Sequence, residues 1–331
     1  MATIKDIADR LGISVSTVSK GLNGASDISE SLRQTVLDTA IEMGYTTKQM
    51  RRRHNKKLCI FIENMDDETP DQFGYDIILG FRQIAYREQY DVSVIPVSPE
   101  FQEKERYDTY MLKNAYVGGF MVGFALQDPW MEQFNTTSIP TVLFDNYIRK
   151  NPLVGSVGTD SYEGIDDAIT HLMCLGHTHI GFINGSRNSM ISEQRRQAYI
   201  KSMTSRALPF SEETMPYGYY VADSAKDYTS GLIDQGITAI LCGNDLIAVG
   251  VLRECERLGV SVPGKVSVVG FDDLPISART RPALTTIRQD RLELGKSGYY
   301  TLHSLLSHVS ISKTLLRPQL MVRSSTARVC S

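Results

Sequence analysis

The first 45 residues hold three short stretches whose apolar positions are spaced for one buried helix face. In "TIKDIADRLG" the residues Ile4, Ile7, Ala8 and Leu11 fall at i, i+3, i+4 and i+7. Thr3 can cap that helix, and Gly12 ends it. Ser14 is a good cap for a second short helix with Val18 and Leu22 inward, closed by "LNG" at 22–24. Ser29 opens a third, with Leu32, Val36, Ala40 and Met43 along one side and Gly44 as its stop. Helix, tight turn, helix and a bracing helix is the layout of a helix-turn-helix DNA reader.

After Lys57 the pattern changes. Short apolar runs at 58–63, 91–97, 118–124, 141–146, 179–185, 238–243 and 266–273 predict strands. Helical spacing between them predicts helices over 75–88, 163–175, 193–205 and 246–258. Apolar runs alternating with helices mean parallel sheets covered on both faces, and their number calls for two α/β lobes. Ligands bind such sheets beyond the carboxyl ends of the strands. Those ends carry Asn64, Asp145, Asn146, Asn184, Asn244, Asp245, Asp272 and Asp273, a polar ring suited to a polyol and without metal-type spacing.

Charge sharpens the division. Residues 1–57 hold ten Lys/Arg against six Asp/Glu, which makes that segment +4 and leaves −7 on the rest of a chain of net charge −3. A basic head on an acidic body points to a polyanion as the head's partner. Five scattered cysteines with no CxxC pair fit reduced thiols and a cytoplasmic protein. No run of 18 apolar residues and no apolar leader is present, so neither a membrane span nor a secretory route is expected.

The second helix offers Val15, Ser16, Thr17, Ser19 and Lys20 near its N-terminal half, small or polar side chains suited to base edges and phosphates. On periodicity alone, a three-helix bundle that binds protein stays open. The full stretch "TIKDIADRLGISVSTVSKGLNGASDISESLRQTVLDTAIEMGY" resembles the DNA-binding head of the LacI/GalR family of bacterial regulators. That resemblance implies base reading by Val15 and Ser16 with Lys20 nearby, and phosphate contacts from Thr17 and Ser19. Thr3, Ser14, Asn23 and Ser29 complete the DNA-facing set.

"FDN", "VGTDSYEG", "HLMCLGHTHIGFING", "RRQAY", the run from "CGND" to "GFDD" and "RPALTTIRQD" are similar to the ligand-binding core of the same family. The resemblance implies a two-lobed, periplasmic-binding-protein-like body with crossings near Thr159, Arg288 and Gln319. The expected organisation is a head at 1–45, a hinge at 46–57, a first lobe at about 58–159 and 289–319, and a second at about 160–288 and 320–331. By position, Asp145, Arg195, Asn244 and Asp272 become candidates to grip a sugar-like effector between the lobes, with Phe73 and either Tyr220 or Tyr219 as stacking aromatics. Carboxylates and a guanidinium hold vicinal hydroxyls through charge-assisted bonds. Asp145, Asn244 and Asp272 could equally be caps at strand ends. The family also implies a homodimer, here through the helix starting near Tyr75 and the one at 246–258. With no heptad extension before Ser331, a coil-held tetramer is not expected.

The segment "TTKQMRRRHNKK" (46–57) stands where the family places its hinge helix. Here Thr47 replaces the family's proline, Arg51 a small alanine, and His54 the leucine that wedges into the minor groove. Arg51, Arg52 and Arg53 favour phosphate and minor-groove contacts instead. Less central kinking and more electrostatic affinity are the expected consequences.

Other chemistries fit poorly. "GVSVPGKV" (259–266) has the glycine and lysine spacing of a phosphate loop, but it carries Val266 where Ser or Thr belongs and runs from helix into strand. "HTH" (177–179) lacks a third metal ligand, and no nucleophile elbow occurs. The reading is a ligand-controlled, DNA-binding regulator without cofactor, not an enzyme, acting on double-stranded operator DNA. A solute-binding protein of a transport system shares the body fold and is the alternative.

Overall fold

The computed structural model describes residues 2–25, 27–45 and 57–329. The chain opens with α1 (Ile4–Leu11), α2 (Val15–Asn23) and α3 (Glu30–Glu42). Thr3 caps α1 in a reciprocal box with Asp6, and Gly12 closes it in the left-handed conformation. The Ser14 and Ser29 hydroxyls cap α2 and α3. Ile7, Val18, Val36 and Ala40 are fully buried between the three helices. Gly21 lets α2 approach α3 closely, since a Cβ there would lie 3.0 Å from Val36 Cγ1.

The body continues with β1 (Lys57–Ile62), α4 (Phe73–Arg87), β2 (Asp91–Pro96), α5 (Pro99–Lys104), α6 (Tyr107–Lys113), β3 (Tyr116–Val122), α7 (Pro129–Gln133), β4 (Thr141–Phe144) and β5 (Val154–Thr159). Then follow α8 (Ser161–Cys174), β6 (Ile180–Ile183), α9 (Met190–Ser205), α10 (Thr229–Asp234), β7 (Ala239–Cys242), α11 (Asp245–Arg257), β8 (Ser267–Asp272), β9 (Thr285–Arg288), α12 (Arg291–Leu306), β10 (Lys313–Leu316) and β11 (Gln319–Met321). Two sheets result, ordered β10-β5-β4-β3-β1-β2 and β11-β9-β8-β7-β6. The β1, β3, β4 and β5 pairings of the first and the β6 to β9 pairings of the second are parallel; β11 runs antiparallel to β9.

The chain forms two compact units, 1–65, 78–157 and 295–314 in one, and 66–77, 158–294 and 315–331 in the other. The head falls in the first. The segment 66–77 falls in the second, although simple alternation along the chain assigns it to the first lobe.

Period-two burial explains why the strands read as unbroken apolar runs. In the second sheet Phe182, Leu241, Val269 and Phe271 pack on one face with α8 and α9. Their neighbours Ile183, Ile240, Cys242 and Val268 pack on the other with α10 and α11. A strand covered on both faces has no place for a charged side chain until it ends. The first unit has an aromatic core on one face of its sheet, where Phe61 meets Trp130 edge-on at 5.0 Å and Tyr107 at 6.1 Å. Phe61 is fully buried, so Phe61→Ala should cost about 3–5 kcal/mol through lost transfer energy and the cavity left behind. The chain's single tryptophan, Trp130, reports it: the urea midpoint followed by its fluorescence should fall, and an unchanged midpoint would contradict this packing.

Candidate DNA-reading face and ligand site

In the head, α2 begins at Val15, which is 49% exposed, and Ser16 beside it is exposed as well. Both stand in the first turn, where the helix N-terminus favours an anion. Ser14 and Thr17 are engaged with each other: the Ser14 hydroxyl accepts from Thr17 N at 3.0 Å and meets Thr17 Oγ1 at 2.8 Å. Asn23 donates back to the Ser19 carbonyl at 2.7 Å. Lys20 pairs with Asp27, and the lysine's hydrogen bond holds that carboxyl below its ordinary range. Thr3 and Ser29 serve as caps. The geometry therefore divides the head's candidates into a freely presented pair, Val15 and Ser16, and residues that also hold the helices together. Arg51, Arg52, Arg53 and His54 lie outside the described residues.

The second unit gathers five of the six ligand candidates. Asp272 ends β8, and its carboxylate accepts from Gln289 Nε2 at 2.7 Å. Arg195 comes from α9. Its guanidinium lies 3.8 Å over the Phe271 ring, donates to the Gly243 carbonyl at 2.5 Å and stands 4.0 Å from Asp272 Oδ1. Arg195 Nε and Gln289 Oε1 are buried and make no hydrogen bond among the described residues. A buried donor and a buried acceptor left without partners beside one carboxylate are what a hydroxylated ligand would satisfy.

Asn244 is first a structural residue. It caps α11 by accepting from Ile247 N at 2.9 Å and donates to the Tyr220 carbonyl at 3.1 Å. Tyr220 places its hydroxyl 2.5 Å from Ser192 Oγ and 3.1 Å from Ser189 Oγ. Its ring covers Gly185, where any Cβ would collide with it. Tyr219, its neighbour, is exposed. Phe73 begins α4 and is half-buried; the adjacent Gln72 carbonyl accepts from Arg291, which also pairs with Asp76 at 2.9 Å. Asp145 belongs to the first unit, just after β4, with positive φ.

Two further residues of this region, Phe271 and Gln289, have no sequence signal, and a third, Asp245, is read from sequence only as one of the polar strand ends. Phe271 is the platform for Arg195, and Gln289 orients Asp272. Asp245 is fully buried at the first turn of α11 and accepts from Leu274 N at 2.7 Å, Ser277 Oγ at 2.6 Å and Thr286 Oγ1 at 2.5 Å. It pins the chain after Asp272 to β9. Both carboxyls are raised first by burial: Asp272 to about 6, with Arg195 opposing, and Asp245 to about 8, with Asp272 adding to the rise. In the first unit, Glu63 is likewise pushed up to about 8, by burial and then by Asp128.

Elsewhere the polar residues at strand ends close on themselves. Asn184 donates to the Ser192 carbonyl, and Asp273 takes Arg288 and Arg323. His177 is buried between Thr238 and the Ala327 carbonyl, and burial lowers its pKa. Among the described residues no cluster could hold a metal ion, and no helix is long and apolar enough to cross a membrane. A groove of about 400 Å³ between the starts of α8 and α9, lined by Tyr162, Glu193 and Lys201, contains none of the ligand candidates.

A head with a presented reading helix joined to a parallel α/β body is the architecture of a DNA-binding regulator. Residues 3–48 match the family of bacterial regulatory proteins, lacI family, and residues 169–326 match the periplasmic binding protein-like domain. The chain thus carries a DNA-binding head of the lacI family and a periplasmic-binding-protein-like body. It is 28% identical over 323 residues to the transcriptional repressor PurR of Actinobacillus pleuropneumoniae, covering 96% of this chain and 94% of that one. To the repressor CytR of Escherichia coli it is 26% identical over 330 residues, covering 98% and 96%. These relatives are transcriptional regulators, not enzymes. Among solved structures, the fold is shared with a CelR–cellobiose complex (TM-score 0.71, 23% identity, 98% and 100% covered). It is shared also with a lac repressor dimer bound to operator and an anti-inducer (TM-score 0.69, 24% identity, 98% and 99% covered).

Asp245 makes stability depend on pH. Unfolded, its carboxyl titrates near the ordinary 3.8; folded, it keeps its proton up to about 8. The folded state then binds more protons across that window, so stability falls as pH rises through it and levels off above. Asp245→Asn keeps a neutral group of the same shape. Its urea midpoint should vary less than the wild type's between pH 4 and pH 8; parallel curves would refute the assignment.

Proposed function

We propose that the chain represses transcription by binding a specific operator as a homodimer, and that a small polyhydroxylated molecule, a sugar or sugar derivative, controls that binding. The lacI-family head and the likeness to transcriptional repressors along the chain support the DNA-binding half. The observation that carries the ligand half is the Arg195–Asp272–Gln289 cluster, with its open Arg195 Nε and Gln289 Oε1. Val15 and Ser16 are the residues proposed to meet base edges, with phosphate contacts from the polar residues around them. Leu79 and Tyr86 on α4 and Leu246 on α11, all exposed, are proposed for the dimer contact. The ligand acts only through a difference in its affinity for the operator-bound and free forms.

A band shift with promoter fragments from the gene's own neighbourhood tests the first half. No shift at low salt with any fragment would favour the solute-binding alternative. Val15→Ala with Ser16→Ala should lose discrimination between operator and random DNA while leaving the salt slope unchanged. Arg51, Arg52 and Arg53 changed together to Gln should flatten the log–log salt slope by about 2–3, and an unaltered slope would remove those residues from the interface. Thermal-shift screening of sugars, sugar phosphates and purines tests the second half. A binder at 100 times its Kd stabilises by about 2.7 kcal/mol, and Asp272→Asn should abolish that shift.

A further inference from the structure

Helix α6 has two buried faces. Tyr107 and Met111, four apart, enter the aromatic core of the first unit. Leu112 points elsewhere. It is 4% exposed and packs into the head's own apolar cluster with Leu37, Ala40 and Tyr45. Thr109 and Leu112, three apart, share one side of α6, and Arg106 is its N-cap residue. Arg106 reaches Asp38 of α3 at 3.7 Å, and Asp38 is held in turn by Gln34 at 3.1 Å. Thr109, between them, is 2% exposed. A seven-residue helix at the surface of a lobe would show this side to water if the head were absent.

We propose that this side of α6 is a dock for the head, and that the docked head is the form that engages DNA. The proposal rests on the DNA-reading role of the head. Docking involves α3 and leaves the first turn of α2 clear, with Val15 half exposed, so the dock presents the reading helix instead of blocking it. It gives the first lobe a hold on the head that does not pass through residues 46–56. The hold is small. One leucine taken out of water favours the docked form by roughly tenfold to a hundredfold, and an exposed ion pair adds little. A dock of that strength can be released by a modest shift of the first lobe, which makes it suited to control.

The test is Leu112→Asp in the full chain, with Leu112→Met as the conservative control. Hydrogen exchange is read at 37–45 and, for comparison, at 57–62 and 116–122. Leu112→Asp should speed exchange at 37–45 by about tenfold and leave the two strands unchanged, and Leu112→Met should match the wild type. Operator affinity should fall about tenfold in Leu112→Asp with the same salt slope, because the phosphate contacts survive while the presented population shrinks. Unchanged exchange at 37–45 overturns the dock. Equal or tighter operator binding by Leu112→Asp overturns the claim that the docked form is the binding form. If the wild type shifts no promoter fragment, the DNA-reading role itself fails, and the exchange result still decides whether the head docks.

Discussion

A parallel strand buried on both faces has no room for a charged side chain along its length, and this constraint governs the body of the molecule. Phe182 and Ile183, or Leu241 and Cys242, go to opposite faces of one sheet and are both lost to solvent. Polar chemistry is therefore displaced to where strands stop. Asn184 follows β6, Asn244 follows β7, and Asp272 closes β8. The three strands are neighbours, so three sequence-distant polar residues reach one edge of one sheet. Most of them stabilise that edge: Asn184 and Asn244 spend their amides on α9 and on the Tyr220 carbonyl. What this bonding leaves unpaired is Arg195 Nε and Gln289 Oε1, where the proposed ligand would bind.

The electrostatics of that edge follow from its burial. Arg195 and Asp272 are both nearly inaccessible, so each needs the other, and each has further partners in Phe271, the Gly243 carbonyl and Gln289. An isolated ion at such a site would be costly. A second acid, Asp245, can stand close by because burial leaves it protonated near neutral pH, where its hydroxyl partners accept as well as donate. A site built from one neutralised pair and one neutral acid has little net field. If this is the ligand site proposed above, it would distinguish ligands by the geometry of hydroxyl groups more than by charge.

How much of this could be read in the sequence depends on whether the signal was local. The three head helices were legible almost to the residue, because Thr3, Ser14 and Ser29 are caps and Gly12 and Gly24 are stops acting within one turn. The seven apolar runs became β1 to β4 and β6 to β8 for the same reason. Helices α5, α6, α7, α10 and α12 were not anticipated; the first four are seven residues or shorter, too short for a periodic stripe to register. Asp272 stood out as a polar residue at a strand end and through family likeness, whereas Arg195 was legible only through family likeness. Gln289 and Phe271 were passed over, since neither type announces a site until the fold sets it beside a charge. Asp245 was noticed as one of several polar residues at strand ends; its full burial appears only in three dimensions.

Leu112 shows the limit most clearly. Along the chain it is one more apolar residue beside Met111, and a single-domain reading would put both in the same core. The structure sends them to different cores, because a turn of 100° per residue carries neighbours to different sides of a helix. A short helix can in this way belong to two hydrophobic clusters at once. Where one cluster lies in a DNA-reading head and the other in a lobe of the body, the helix becomes a mechanical joint made of ordinary core side chains. Such a joint needs no special sequence, so family likeness does not reveal it. It becomes visible only when the burial of one leucine is traced to the residues that cover it.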